Sequence, residues 1–406
     1  MKKYLIIALA AIVTMACSKV EVADQTPDTP IRFSVVSHLQ QQTKATAGLE
    51  YPTSVPFGTF AWWTEGAWTG IAADQDFVFM DNEQVSYQTI SGVNCWAPSS
   101  TYYWTKSGKL TFASYSPFVD ATTMASKGFS TLPTYDVAKG FLFTNYTIVD
   151  ETNVDLMYAN LAANCTNVTN LDGSEVTNDA SPESQFSGVP TIFNPALCQL
   201  GFEFRALGNL NPNVDSIKIE LSGVNIFNID KKGSFTQTPE ETTPATPRWA
   251  TVHTTADVES YNFSPDNIIV MGVKADNAEN RANVAYTHTE KIKILLPQIL
   301  QDDDDPTDPT VDPLATTLDQ KLVITYNIKS HYKNTADDVW ATENAVTSTV
   351  RLFKGNISDW KENQNITYRI TINPYASEII TFDPAVIDWT NVTSSDIVVT
   401  PDSPTN

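Results

Sequence analysis

The chain has 406 residues, of which 42% are apolar and 11% aromatic, and its formal net charge at pH 7 is −22. This apolar content is enough to bury large cores and excludes a chain that is disordered throughout. Because Asp and Glu outnumber Lys and Arg by 47 to 25, the protein would repel phosphate backbones and anionic membrane surfaces. We therefore exclude nucleic acid as a partner and attribute the acidity to solubility at an exposed surface.

The N-terminus has the pattern of a bacterial export signal. Two lysines precede an apolar run from Tyr4 to Val13, and the small Ala16 is followed directly by Cys17. The run is too short to span a bilayer as a mature helix, so residues 1–17 are predicted to contain a signal peptide. A cysteine at this position resembles a lipobox, in which the thiol receives a diacylglycerol and becomes the new N-terminus. The alternative is an ordinary secretory signal with an unrelated cysteine.

The segment after the signal is polar and predicts a tether. Residues 18–30 (SKVEVADQTPDTP) contain two prolines and few apolar side chains, as a flexible connection between a lipid and a folded domain should. No later stretch approaches eighteen consecutive apolar residues. We therefore expect contact with the outer membrane only through the lipid anchor.

Alternation of apolar and polar residues recurs along the chain and predicts β-strands. It occurs at residues 31–35 (IRFSV), 217–221 (IKIEL), 291–294 (KIKI) and 367–372 (TYRITI). Each segment places its apolar side chains on one face, which is typical of a half-buried antiparallel strand. Clusters of Pro, Asn, Asp and Gly separate such runs, and long helical periodicity is scarce. The sequence therefore predicts an all-β protein built of β-sandwiches.

Two polar segments indicate a boundary and an insertion. Asn167–Gly188 has few apolar residues, so we predict that its end separates an N-terminal domain (45–188) from a C-terminal one (189–406). Gln301–Pro313 contains six Asp and three Pro. The carboxylates of Asp302–Asp305 could ring a calcium ion, but the glycine and terminal glutamate of an EF-hand loop are missing. The composition favours the alternative, an acidic solvated hairpin whose prolines protect a strand edge.

Aromatic residues are dense between Tyr51 and Phe118. Trp62, Trp63 and Trp68 could form a platform that stacks on sugar rings, because flat apolar faces with polar rims suit carbohydrates. The alternative is that these side chains fill a sandwich core and pack across strands, as aromatic residues commonly do. We favour the core.

The sequence gives little support to catalysis or to a cofactor. The four histidines are scattered, and no HExxH, GxSxG, P-loop or GxGxxG pattern occurs. Beyond Cys17, the cysteines Cys95, Cys165 and Cys198 have long, unrelated spacings, so we expect three thiols, with one disulfide as the alternative. We predict a protein without a metal or cofactor that is not an enzyme. A Ser-His-Asp triad assembled from distant residues is the alternative that these patterns leave open.

An ordered set of short motifs resembles the fimbrillin family of Bacteroidetes, the subunits of pili derived from lipoproteins. The motifs, in chain order, are Val55–Trp62 (VPFGTFAW), Trp96–Pro98 (WAP), Tyr103–Trp104 (YW), Leu110–Pro117 (LTFASYSP), Asp155–Ala159 (DLMYA), Pro195–Phe202 (PALCQLGF), Leu295–Gln298 (LLPQ), Trp360 with Tyr368–Ile372 (YRITI), and Ile380–Pro384 (ITFDP) followed by Asp388–Trp389 (DW). In the PALCQLGF segment, Pro195 replaces the usual His and Cys198 the usual Ser.

This resemblance implies a fold and a route of assembly. The fold would be two tandem transthyretin-like antiparallel β-sandwich domains. Family members are exported as lipoproteins, and a trypsin-like protease then cuts after Arg or Lys in the leader. The cut removes the lipid and the first strand and opens a groove, which a strand of another subunit fills by β-strand addition.

On this chain the resemblance assigns roles to particular residues. Lys44 looks like the cleavage position, so the mature protein would start at Ala45 and residues 18–44 would be tether and removable strand. Ile31, Phe33 and Val35 are the apolar face of that strand. The donor could be the tail, where Ile397, Val398 and Val399 form a short β-prone run. The alternative for Lys44 is an ordinary exposed lysine in a linker.

We therefore expect a structural or accessory subunit of a bacterial surface fimbria, anchored in the outer membrane as a precursor and extracellular once assembled. Its partners would be other fimbrial subunits and the processing protease. The alternative is a permanently anchored lipoprotein or tip adhesin that binds a host or bacterial surface glycan or protein through the tryptophan-rich region.

Overall fold

The computed structural model describes residues 30–37, 51–149, 155–166, 188–206, 213–238, 247–274, 287–288, 291–300, 320–333, 336, 339–342, 345–352, 358–372 and 380–388. The predicted sites at Cys17, Lys44, Ala45, Asp302–Asp305, Ile397, Val398 and Val399 lie outside these residues.

Strands dominate the described residues, with two short 3-10 helices at Ala72–Gln75 and Ala125–Lys127. The strands are β1 (Phe33–Ser37), β2 (Phe57–Thr64), β3 (Val78–Ile90), β4 (Val93–Pro98), β5 (Lys109–Ser116), β6 (Thr134–Asp136), β7 (Gly140–Thr147), β8 (Met157–Ala159), β9 (Ala162–Cys165), β10 (Val189–Pro195), β11 (Cys198–Ala206), β12 (Val214–Asp230), β13 (Lys232–Thr236), β14 (Trp249–Thr251), β15 (Val258–Asn262), β16 (Ile269–Lys274), β17 (Thr287–His288), β18 (Lys293–Leu295), β19 (Gln298–Ile299), β20 (Lys321–Tyr332), β21 (Ala341–Thr342), β22 (Val346–Arg351), β23 (Asp359–Trp360), β24 (Gln364–Ile372) and β25 (Ile380–Asp388). The prediction of an all-β protein is confirmed, whereas the tandem transthyretin-like layout stays a prediction.

The first sheet closes on itself into what we call the N-terminal barrel. Its strands follow the order β2-β3-β4-β1-β10-β8-β5, and β5 pairs back onto β2. Along β5 the side chains alternate between two cores. Leu110 and Phe112 join the barrel core, while Ala113 and Tyr115 belong to a second core on the other face. Because neighbouring residues of a strand point to opposite faces, one strand serves both cores.

The second core is covered by a four-stranded sheet of order β14-β13-β7-β6. Phe141 and Phe143 of β7 and Phe235 of β13 pack there against the outer residues of β2 and β5. β13 and β14 follow residue 188, whereas β6 and β7 precede it, and β10 pairs with β1 and β8. Hydrogen bonding thus continues across the predicted boundary, and the division into domains 45–188 and 189–406 stays a prediction.

The third core lies between the two remaining large sheets. One has the order β17-β11-β24-β25 with β18 on β11, and the other is built on the long pair β12 and β20. β24 runs parallel to β11 over eight register pairs, from Gln199↔Asn365 to Ala206↔Ile372. The expectation of purely antiparallel pairing is therefore wrong for this pair and for β1 with β10. A parallel pair needs a long crossover, and the chain between each pair of partners provides one.

The alternation predicted at residues 291–294 holds at Ile294, which is buried, but fails at Ile292 and Lys293. Ile292 was expected to face the core and Lys293 the solvent, yet Ile292 is 52% exposed and Lys293 is buried. The Lys293 ammonium lies 5.7 Å from the ring centroid of Phe263. A lysine has an apolar stem and an ammonium that is attracted to an aromatic face, so it can occupy an inward position.

We predict that Gly58 is required by the packing between β2 and β5. A Cβ added there would lie 2.4–2.8 Å from atoms of the Tyr115 ring, which is fully buried. Gly58→Ala should lower the free energy of unfolding by about 1–3 kcal/mol through overpacking. Denaturant titration measures this change. Gly66→Ala is the matched control, since no described atom lies within 4 Å of its added Cβ; equal losses in the two variants would contradict the prediction.

Candidate functional site

β1 is the seam of the N-terminal barrel. It pairs in parallel with β10 over five residues, from Phe33↔Val189 to Ser37↔Phe193. On its other side it meets β4 at one register pair, Phe33↔Trp96. The Val189 amide donates to the Arg32 carbonyl at 2.7 Å, and the Ile31 amide donates to the Tyr102 carbonyl at 2.8 Å. β1 thus joins two edges that would otherwise be open.

The apolar face predicted for this strand faces the barrel core. Ile31 is 1% exposed and Phe33 4% exposed, and Val35 packs partly buried against the same core. The Phe33 ring lies edge-on to Phe57 at 5.5 Å and to Phe112 at 5.7 Å. Full burial of one such side chain contributes about 1.5–3 kcal/mol. β1 therefore fills side-chain pockets in addition to satisfying backbone hydrogen bonds.

The approach of β1 to β10 depends on a glycine. Gly188 has φ +93°, and a Cβ there would lie 2.8 Å from the Arg32 carbonyl oxygen. The residue precedes β10 directly, where the Val189 amide bonds to β1. Both the backbone conformation and the close approach of two chains favour glycine here.

We predict that Gly188→Ala loosens the seam. The control is Gly92→Ala, because Gly92 has φ +82° and no described atom within 4 Å of an added Cβ. Both variants carry the strain of a left-handed residue, about 1–3 kcal/mol, but only the first adds a clash with β1. Amide hydrogen exchange at Val189 should be faster in Gly188→Ala and unchanged in Gly92→Ala. Unchanged exchange at Val189 in both would contradict this role.

The tryptophans considered for a glycan platform differ in burial. Trp62 is buried in the second core and lies 5.7 Å from Trp68 and 5.3 Å from Tyr135. Trp63 and Trp68 are half-buried, and the Trp63 indole N–H donates to the Ser107 carbonyl at 2.8 Å. Packing thus describes Trp62, and Trp63 and Trp68 pack, partly buried, against the barrel core and the second core respectively. Glycan binding by these two residues stays an untested alternative.

The three cysteines beyond the leader are free thiols. Cys165 and Cys198 are buried, and Cys95 is half-buried. Burial raises the pKa of the Cys165 thiol to about 12, and burial also raises the pKa of Cys198. Since the thiolate is the nucleophile, these two side chains are inert at neutral pH.

Several motif residues have structural roles that the motif alone did not reveal. The Gln298 amide oxygen accepts from the Asp230 backbone N–H at 2.9 Å and from the Gln320 amide at 2.8 Å. The Trp360 indole N–H donates to the Tyr368 hydroxyl at 2.8 Å in the third core. Buried polar atoms need such partners, so these bonds fix the ends of β12, β19 and β23.

Two oppositely charged residues, Arg248 and Glu362, lie together where the second core meets the C-terminal sheets. The Arg248 guanidinium donates to the Tyr158 hydroxyl and to the Glu362 carboxylate. The Arg248 side chain is only 10% exposed. Tyr158 belongs to the DLMYA motif, but no sequence signal marked Arg248 or Glu362, because they come together only through the fold.

Asp155 lies where the three cores meet. Electrostatic interactions link it to Tyr51 of the barrel core, Tyr146 of the second core and Cys198 of the third. The residue as a whole is half-buried, but its Oδ1 atom is enclosed and has no hydrogen-bond partner within the described part of the chain. Burial raises the pKa of this carboxyl to about 8.

We predict that Asp155 makes stability fall as pH rises. Its folded pKa is about 8, whereas an unfolded Asp titrates near pH ~4. The stabilisation that comes from the protonated Asp155 carboxyl is therefore fully present below about pH 4. It decreases by about 1.4 kcal/mol per pH unit as the pH rises from there to the folded pKa. Asp155→Asn should remove this slope and be the more stable protein at neutral pH. The exposed Asp76→Asn is the control, and parallel stability–pH curves for wild type and Asp155→Asn would contradict the prediction.

Across the described ranges, no three His, Cys, Asp or Glu side chains are placed to hold a metal ion. No helix within those ranges is long and apolar enough to cross a membrane.

Comparison with known proteins identifies a family. A family model described as fimbrillin-like matches residues 56–389. A fimbrial protein from Bacteroides vulgatus is 19% identical, with a TM-score of 0.52 over 89% of this chain and 100% of that chain. The tip fimbrial protein Mfa3 from Porphyromonas gingivalis, C-terminally truncated, is 10% identical, with a TM-score of 0.30 over 82% of this chain and 94% of that chain. No curated protein gives a significant match. The family match confirms the predicted resemblance, and because this family is structural, it also confirms that the chain is not an enzyme.

Proposed function

Because the chain belongs to the fimbrillin-like family, we propose that it is a structural subunit of a bacterial surface fimbria that supports adhesion. It is exported as a lipoprotein through Cys17, matured by a trypsin-like cut after Lys44, and assembled by strand exchange at the β1 seam. The single observation that carries this proposal is the position of β1 as the parallel strand that closes the barrel.

The chemistry of the seam suits exchange. Without β1, the backbone groups of β10 that face it would lose their partners, and the pockets of Ile31 and Phe33 would be empty. An open edge beside apolar pockets captures an extended strand, since main-chain bonds provide affinity and alternate side chains provide specificity. Another strand with apolar residues at every second position can replace β1.

The location of the proposed cut supports the release of β1 as a unit. Lys44 lies between β1 and Tyr51, the first residue described after it. Tyr51 is buried, its ring stacks on Phe193 at 4.8 Å, and its hydroxyl bonds to the Ser116 hydroxyl at 2.7 Å. A chain that starts at Ala45 keeps this anchor and loses the whole of β1.

The tail is the proposed donor. Ile397 and Val399 are two residues apart and would point to the same face of an extended strand, as Phe33 and Val35 do in β1. Val398 would point to the other face.

We predict that Lys44 is the processing site. Limited trypsin treatment of the precursor should give a chain starting at Ala45, identified by N-terminal analysis. That product should bind a synthetic peptide of residues 391–406, whereas the intact precursor should not. Lys44→Gln should abolish both the new N-terminus and the peptide binding, and the exposed Lys106→Gln is the matched control. A peptide with Ile397 and Val399 replaced by Asp should not bind.

Two outcomes would contradict the proposal. One is a chain cut at Lys44 that retains β1 and binds no donor peptide. The other is a protein from intact cells that starts at lipidated Cys17 and never at Ala45, which would favour the permanently anchored alternative.

A further inference from the structure

A cleft lies between β14 and the short pair of β19 and β23. Its volume is about 290 Å³, and residues from all three strands and from the segments beside them line it. The ionisable members are Asp230, Arg248, His253, Asp359, Lys361 and Glu362. We infer that this cleft binds a short neutral saccharide, one or two sugar rings in length. None of the lining residues belongs to β1, β4 or β10, so this inference does not rest on strand exchange.

The ionisable side chains of the cleft are paired with one another. The His253 Nδ1 atom lies 2.5 Å from the Asp230 carboxylate, and Lys361 Nζ lies 3.9 Å from the Asp359 carboxylate. Arg248 pairs with Glu362 deeper in the wall. A charged ligand gains little net attraction from such a pair, because the partner of opposite sign lies beside the group that it would bind. A neutral polyhydroxy ligand can donate to a carboxylate and accept from its cationic partner while the pair stays intact.

The depth of these groups decides which of them a ligand can reach. The side chains of Asp359 and Lys361 are 34% and 36% exposed, whereas Asp230 is almost fully buried. The first pair therefore offers a carboxylate and an ammonium to solvent at the rim. The buried pairs hold the wall in place.

Apolar surface for a sugar's C–H face is present at the mouth. Ile299 is 57% exposed, and Pro247 is also exposed. The walls behind them are fixed, because the Trp249 indole N–H donates to the Ala196 carbonyl at 2.6 Å and that of Trp360 donates to the Tyr368 hydroxyl. A site whose walls are already held by such bonds loses little conformational freedom when it binds.

The cleft is poorly suited to a peptide strand. β19 and β23 pair over only two residues. Pro247 and Pro297 lie close before β14 and β19, and proline has no N–H to donate to an added strand. Ligand pockets span roughly 300–1,000 Å³. At about 290 Å³ this cleft lies just below that range, which limits the ligand to one or two rings.

Binding of four neutral disaccharides tests the inference. Lactose, maltose, mannobiose and diacetylchitobiose would be titrated into the whole chain, with calorimetry or saturation-transfer NMR as the readout. We expect at least one to bind with a Kd of about 1 mM or tighter. Digalacturonate, an anionic disaccharide, should bind more weakly than the neutral probe.

Two conservative variants locate the site. Asp359→Asn and Lys361→Gln each remove one rim charge and should weaken binding about tenfold, the value of one charge-assisted hydrogen bond. Asp266→Asn is the matched control: Asp266 pairs with Lys291 at 2.8 Å, is exposed and does not line the cleft. Thermal unfolding would confirm that each variant is folded. If one rim variant does not fold, the other is sufficient to locate the site.

Three outcomes would overturn the inference. The first is no binding of any neutral probe at about 20 mM. The second is tighter binding of digalacturonate than of the neutral probes. The third is binding that Asp359→Asn and Lys361→Gln leave unchanged, which would place the saccharide elsewhere, for example at Trp63 and Trp68.

Discussion

Closure of the barrel by β1 is the constraint on which the N-terminal part of the structure depends. A sheet that ends in open edges exposes unpaired N–H and C=O groups, and only closure removes the edges altogether. Here the closing strand satisfies the edge of β10, meets β4 and fills the core with Ile31 and Phe33. The barrel core depends on this closed ring of strand pairings. The second core depends on it as well, because β2 and β5 contribute side chains to both cores.

The three cores are connected by polar residues at their boundaries. Asp155 interacts electrostatically with one member of each core, and Tyr158, three residues later, hydrogen-bonds to Arg248 and Glu362. Polar groups in such places cost stability unless they are paired, but they also fix one arrangement of the elements around them. The DLMYA segment thus contributes the Tyr158 hydroxyl, which bonds to Arg248 and Glu362, and it places an enclosed carboxyl near all three cores.

Much of this architecture could be predicted from local patterns. Alternation at residues 31–35 and 367–372 gave the strands and their buried faces correctly, because the period of two is a property of the strand itself. It failed at Ile292 and Lys293, where a lysine stem and an aromatic ring reverse the usual preference. Parallel pairing of β11 with β24 was not predictable, since register between distant segments has no local signature.

The candidate site, too, was predictable from the sequence only in part. The apolar face of β1 follows from its sequence, but its partner β10 does not, because β1 and β10 are far apart in the chain. The motif residues Gln298 and Trp360 were singled out without their roles, which depend on hydrogen bonds to Asp230 and Tyr368. Arg248, Glu362 and the saccharide cleft had no sequence signal at all, since they assemble from segments that meet only in the folded chain.

The parallel pairing of β1 with β10 also sets an order of events during folding. Contacts between segments far apart in sequence form late, because the entropy of closing the intervening loop is lost before the contact stabilises anything. Among the described strands β1 is the first to be synthesised, yet its partner is complete only when residue Pro195 has been added. This early strand is therefore among the last to be secured, and the barrel stays open until most of its other strands have been synthesised.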